Sequence, residues 1–403
     1  MTDGNRVRLC MKDLYGQDVV EMIERETRRY ELWSIESPDH PDFKAAFDLL
    51  WEAFGESGEM EREDSVRGFL REDVYEPDRF GTFMRYFLLV ARDRDGRVRG
   101  VRDGTILYNP AYSSDLVVVY LSHIYMLPDA RGTVLSYWLR IAPVELAMQF
   151  MVGLSIRGLA RLPNPDAPGR HFGLRVNLAA EMEYFSPEDR LSLQRILFYG
   201  RGGFDAINPR HFPYRQPDFR EPEVIAKTGN MPHPFMILLR RMGRERQARL
   251  PISEARTVLK LLYDDFAAFC EPEYLANSLD VVLERLEQRE ARGKDSVELL
   301  PLPSGPRDIG RLKRLFRYNV YRQYYGMGPE TRAYLEGPIR DQVYKSPGFL
   351  DEELRKIRTQ LNDRPHYVFE SRGRGFSWEG EAAAPSEAGD LGDASETVEV
   401  EPR

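Results

Sequence analysis

The sequence predicts an α/β protein with a helical C-terminal extension. Residues 30–242 alternate strand-like and helix-like runs in the order β, α, α, β, β, β, α, β, α, β. Within that order DLVVVYLSHIYML (115–127) is the plainest strand, a long β-branched run. From 250 onward the apolar spacing turns helical.

Taken in order, DVVEMIERETRR (18–29) reads as a short charged helix and YELWSIES (30–37) alternates like a strand. DFKAAFDLLWEAFG (42–55) places Phe43, Ala46, Phe47, Leu50, Trp51 and Phe54 on one helical face and stops at Gly55. SVRGFLREDVY (65–75) reads as a second helix. An apolar strand at 85–92, a turn through Asp95-Gly96 and a strand at 97–108 form a hairpin, and the 115–127 strand follows. A helix covers 133–151, where Pro143 removes an amide donor and predicts a kink or a split. RLPNPDAPGR (161–170) is a loop, GLRVNLAAEME (173–183) a strand, and a helix runs from Ser186 or Pro187 to Tyr199. PFMILLRRM (234–242) closes the series. Beyond it, two helices joined at Glu271-Pro272 predict a helical hairpin, followed by helices at 310–326 and 351–361. The acidic tail at 372–403, rich in Ala, Ser and Gly from about 379, has too little apolar surface to offset its ordering entropy. The expected organisation is a lead-in at 1–29, an α/β domain at 30–245, a helical region at 246–371 and that tail.

Composition narrows the function classes. A net charge of −8 disfavours nucleic-acid binding, which needs a basic surface. No run of 18 apolar residues predicts a membrane span, and MTDGNRVRLCMKDLYG lacks the apolar core of a signal peptide. Cys10 and Cys270 are far apart and the six histidines are scattered, so neither a disulfide framework nor a metal site is expected. These features point to a cytoplasmic protein. Arg311, Lys313, Arg314, Arg317 and Arg322, interleaved with Phe316, Tyr318 and Tyr321, read as a solvated basic face over a packed stripe.

Three stretches resemble the GCN5-related N-acetyltransferase (GNAT) superfamily over about half the chain. VARDRDGRVRGV is similar to the family's second and third strands. YLSHIYMLPDARGTVLSYWL is similar to its fourth strand, pyrophosphate loop and third helix. Tyr199-Gly-Arg-Gly-Gly203-Phe204 resembles its tyrosine four residues before a Gly-Phe pair. The resemblance implies a GNAT-like mixed, mostly antiparallel sheet flanked by helices. It also implies acetyl-CoA as cosubstrate and direct transfer of its acyl group to a small-molecule or peptide amine. Met126, Arg131, Gly132, Thr133, Val134, Leu135 and Ser136 would hold the cofactor. Physically, backbone amides at a helix N-terminus suit a pyrophosphate. Arg131 and Ser136 fit the family's Arg/Gln-x-x-Gly-x-Gly/Ala pattern, whereas Val134 replaces its first glycine and would narrow the backbone's approach to phosphate.

Acyl transfer to an amine needs a base, an oxyanion donor and an acid for the leaving thiolate. The resemblance places Tyr199 as that acid; it reads equally as a core residue at a helix end stopped by Gly200, Gly202 and Gly203. No glutamate lies on the 115–127 strand. Strand alternation puts Tyr120, Ser122, Ile124 and Met126 on one face, and Leu121, His123, Tyr125 and Leu127 on the other. His123 is therefore one candidate base, or a satisfied core histidine. Glu183 is the second candidate; it and Glu181, two residues apart, point the same way and could instead pair with an arginine. Val134 and the missing glutamate leave a competing expectation, a catalytically silent domain that binds a protein partner through its C-terminal helices.

Overall fold

A computed structural model of the chain describes residues 4–8, 15, 17–26, 28–55, 60–131, 133–164, 172–185, 190–220, 222–245, 247–315 and 349–362. Gly132, the start of the helix expected at Ser186 or Pro187, most of the 161–170 loop, the 310–326 helix beyond 315 and the acidic tail fall outside them.

The fold is mixed α/β, built on one mostly antiparallel sheet. Its strands are β1 (Gly4–Arg6), β2 (Tyr30–Ile35), β3 (Phe83–Asp93), β4 (Val98–Tyr108), β5 (Leu116–Met126), β6 (Arg175–Glu183), β7 (Asp205–Ile207), β8 (Phe235–Arg241), β9 (Arg249–Pro251) and β10 (Ser296–Pro301). They line up in the order 1-2-3-4-5-6-8-7-10-9. Every pairing is antiparallel except β5 with β6. That parallel pair holds only from Leu116↔Arg175 to Tyr120↔Ala179. Beyond it β6 continues against β8 alone, so β5 and β6 part from Leu121 onward.

The helices are α1 (Gln17–Glu26), α2 (Phe43–Leu50), α3 (Glu63–Phe69), α4 (Leu135–Ile156), α5 (Arg190–Arg201), α6 (Pro222–Thr228), α7 (Ile252–Phe266), α8 (Pro272–Ala291) and α9 (Phe349–Asn362). One sheet face packs α1, α4, α5 and α9 into a single apolar cluster. The other face carries two clusters, one under α2 and α3 and one under α7 and α8. Between those two clusters β4 presents Asp103 and Thr105 instead of apolar side chains.

The split expected at Pro143 is absent, and α4 runs as one helix from Leu135 to Ile156. Burial of 17 of the helix's 22 residues outweighs the roughly 3 kcal/mol that an internal proline costs. The same helix is long and apolar enough by composition to cross a membrane, but here it is the buried core helix, with Arg140 and Glu145 inside the fold.

The expected helical hairpin is present as α7 and α8, with Pro272 at the first turn of α8. The region after 246 is not helical throughout, however. It supplies β9 and β10, and β10 lies against β7, which has its other edge on β8. Residues 302–304 then cross the end of α5. A Cβ on Gly200 would come within 2.1 Å of the Pro303 carbonyl oxygen, and Arg201 donates to the Ser304 carbonyl at 3.0 Å.

Candidate active site

The site is organised by a bulge. β4 and β5 pair as Arg102↔Ile124 and then Gly104↔Leu121, so Asp103 alone opposes both Ser122 and His123. One extra residue reverses the inside–outside alternation beyond it. Tyr120, His123 and Tyr125 therefore share a face, while Leu121, Ile124 and Met126 join the α4 cluster on the other. The uninterrupted alternation expected from the sequence is corrected accordingly. Gly104 permits the bulge: a Cβ there would lie 2.1 Å from the Tyr120 carbonyl oxygen.

On the α2–α7 side the groups are anionic and well partnered. Asp103 accepts the His123 amide at 2.8 Å, meets its Nδ1 at 3.1 Å, and accepts the Tyr86 hydroxyl at 3.0 Å. With Nδ1 facing the carboxylate, the contact assigns the ring proton of the neutral imidazole to Nδ1. Phe54, in the π-helical turn after α2, packs on the imidazole with ring centroids 4.9 Å apart. Glu181 accepts Tyr120 Oη at 2.6 Å, Gln216 Nε2 at 2.8 Å and Tyr214 Oη. Burial raises the Glu181 pKa despite those bonds. Asp265 of α7 is pushed up to about 7 by burial; a Thr105 hydrogen bond opposes this, and the charges of Glu61, Glu181 and Asp264 add to it. Glu61 is also raised by burial, with Asp103 adding and His123 opposing. No described lysine or arginine hydrogen-bonds Glu61, Asp103, Glu181 or Asp265.

On the α4–α5 side the groups are cationic. Arg102 has 0% exposure, and none of its three guanidinium nitrogens meets strict hydrogen-bonding geometry, the Tyr199 hydroxyl being its one side-chain partner among the described residues. Beside it stands the Tyr199 phenol. Burial raises the Tyr199 pKa and Arg102 is the strongest opposing charge; Glu183 adds to the rise, while Arg140 and Arg195 lower it. Tyr199 is 8% exposed and packs edge-on against Phe198 and Phe204. It is thus a core residue whose hydroxyl lies beside a buried cation. The helix end follows the expected glycine pattern, with Gly203 at a φ of +74°.

The two glutamates of β6 have different partners. Glu181 enters the anionic cluster, whereas Glu183 is ion-paired with Arg195 of α5. His123 and Tyr199 belong to opposite sheet faces, on either side of the β4–β5 pair.

At the start of α4, Arg131 Nε donates to the Met126 carbonyl at 2.9 Å, with the guanidinium 5.6 Å from the Tyr125 ring centre. Thr133 Oγ1 donates to the Ala130 carbonyl at 2.7 Å and accepts the Leu135 amide at 3.3 Å. Ser136 Oγ donates to the Thr133 carbonyl at 3.0 Å, and Leu135 is fully buried. Val134 turns its side chain against the α4 core. Met126, Arg131, Thr133, Val134, Leu135 and Ser136 therefore form one contiguous corner where β5 passes into α4.

Arg102, Asp103, Glu61, Tyr86, Tyr214 and Asp265 were not singled out in the sequence. One signal was available for two of them: adjacent charges, Arg-Asp, inside the otherwise apolar strand VRGVRDGTILY.

No family model and no curated protein matches the chain. Among solved structures it is similar to "a putative phosphinothricin N-acetyltransferase", at 18% identity over 53% of this chain and 98% of that one. The TM-score is 0.28, too low for the likeness to carry weight beside the strand order itself.

Proposed function

We propose that the protein transfers the acetyl group of acetyl-CoA to an amine by direct attack. The observation that carries this reading is the parting of β5 from β6 after Tyr120↔Ala179, with an acid candidate on one side and a base candidate on the other. A mostly antiparallel sheet with one parallel pair that opens is the arrangement the N-acetyltransferase resemblance calls for. Past the opening, β5 has backbone groups with no β6 partner, suited to binding a thioester carbonyl.

The start of α4 fits a pyrophosphate. A 22-residue helix presents its positive end there, and the Thr133–Leu135 bond of 3.3 Å is long enough to give way to a phosphate oxygen. Arg131 and the backbone of 133–136 would hold the cofactor, with Met126 at the strand end. Because Val134 packs inward, its side chain leaves that approach open. When bound, acetyl-CoA supplies the acetyl group as an activated thioester.

His123 serves as base through Nε2, with Asp103 orienting the ring and stabilising the imidazolium. Glu183 is set aside as base because its carboxylate is tied to Arg195. Tyr199 serves as acid for the leaving thiolate. The carboxylates around His123 favour a cationic amine over an anionic acceptor. The silent binding module draws on one observation, that Thr133 already occupies an amide the pyrophosphate would need.

Free-thiol release from acetyl-CoA across a panel of amines tests the proposal. Release that depends on both acetyl-CoA and one class of amine is expected. Absence of heat and of any thermal shift with millimolar acetyl-CoA would overturn it.

A further inference from the structure

We propose that Arg102 is a positioning residue for proton delivery, holding the negative charge that Tyr199 acquires when it protonates the leaving thiolate. This rests on the acyl-transfer reading and assigns a role to a residue that the resemblance does not mark.

Arg102 lies in the middle of β4, between Val101 and Ile106, both with 0% exposure. A lone guanidinium in such a place loses its hydration without regaining hydrogen bonds, at a cost of several kcal/mol. Removal from water lowers the Arg102 pKa, and the nearby Tyr199 and Asp103 oppose that effect. An apolar side chain of the same length would fill the space without the penalty. The position therefore makes physical sense where a negative charge comes and goes beside it.

Two other arginines surround the same phenol, but both are already engaged. Arg140 spends Nε on the Ser136 carbonyl, Nη1 on the Phe198 carbonyl and Nη2 on Ser136 Oγ. Arg195 pairs with Glu183. Asp103, the one carboxylate that acts on Arg102, faces the other side of the sheet and is shared among His123 and Tyr86. The charged groups acting on Tyr199 are thus Arg102 from β4, Glu183 from β6, Arg140 from α4 and Arg195 from α5. Of the three arginines, Arg102 alone makes no hydrogen bond to a carbonyl or carboxylate among the described residues.

The step balances as follows. His123 takes one proton from the incoming ammonium and passes it to solvent. The neutral nitrogen then forms its bond to the thioester carbon, and the C–S bond breaks with its electron pair on sulfur. Sulfur takes the Tyr199 proton and leaves as the free thiol, so a phenolate remains beside the Arg102 guanidinium. The nitrogen sheds its second proton, which restores Tyr199 through solvent. Nothing is oxidised or reduced.

The test uses the full chain labelled with 13Cζ-tyrosine, with Tyr199→Phe to assign the resonance. Arg102→Met and Arg102→Lys are compared with the unaltered protein. In Arg102→Met the Tyr199 resonance should titrate at higher pH, and kcat for thiol release should fall by about a hundredfold. KM for acetyl-CoA should stay unchanged, and Arg102→Lys should recover most of the rate. Should Arg102→Met lose its fold, Arg102→Lys carries the test: an unmoved Tyr199 titration and rate support the charge role, and a hundredfold loss overturns it. A folded Arg102→Met with both titration and kcat unchanged also overturns it, leaving acyl transfer intact. If the unaltered protein releases no thiol with any amine, the acyl-transfer reading itself falls, whichever way the resonance moves.

Discussion

Arg102 and Asp103 are successive residues of one strand, yet they face opposite sides of the sheet and meet opposite conditions. Asp103 is buried among donors and gives its oxygens to a histidine ring, a backbone amide and a tyrosine. Arg102 is buried just as deeply and has only the Tyr199 hydroxyl beside its guanidinium. The anionic side is partnered within the fold, whereas on the cationic side the guanidinium has a phenol beside it and no carboxylate in hydrogen-bonding geometry. Such an imbalance is what a site that handles a transient anion requires, because a permanent counter-ion would neutralise the cation it must offer.

The comparison can be broken most forcefully at Tyr199. Tyr199→Phe removes the proton donor while leaving the ring in the core, and should lower kcat by roughly 10²- to 10⁴-fold with little change in acetyl-CoA affinity. Steady-state thiol release alongside calorimetric titration separates those quantities; an unchanged kcat removes Tyr199 from the chemistry. On the anionic side, Asp103→Asn should unsettle both the His123 ring and the hydrogen bonds of Tyr86. A stability loss of about 1–3 kcal/mol in urea unfolding is expected, together with a lower kcat. Equal stability would show that Asp103 is not the hub its contacts describe.

A smaller and pH-dependent effect is expected at Asp265. Its folded pKa of about 7 lies above that of an unfolded aspartate, so the folded state holds the proton more tightly. Stability is therefore undiminished below about pH 4, declines through the window up to about pH 7, and stays lowered above it. Asp265→Asn should accordingly raise Tm relative to the unaltered chain at pH 8 and converge on it near pH 4. A constant difference across that range would contradict the assigned burial. The smallest effect belongs to Glu183→Gln, whose partner Arg195 is half exposed; kcat should change by less than about twofold. A large loss there would return Glu183 to the list of bases.

The element order between 30 and 242 was legible because long strands and amphipathic helices repeat a period that composition cannot hide. Three-residue strands such as β1, β7 and β9 are too short to show a period, and their pairing partners are distant in sequence. The Ser122–His123 bulge leaves no trace in residue types, yet it moves His123 onto the face of Tyr120 and so decides which groups share a site. Tyr199 and residues 131–136 were marked in the sequence by a family resemblance, which gives their place in the chain and not their role. Asp265 was not, because α7 looks like any amphipathic helix until the sheet beneath it is seen to carry Asp103, Thr105 and Glu181.

The Pro303 carbonyl fills the space where a side chain on residue 200 would stand, and that single contact changes how the chain divides. A boundary near 245 separates sequence character but not the fold. Cutting there would strip α5 of the backbone lying across it, bare one edge of β7 and remove the helix that carries Asp265. The latter part of the chain is better regarded as the lid and hinge-pin of the same box than as a module bolted onto it. Transplanting the first 245 residues elsewhere would carry the tyrosine but not its setting.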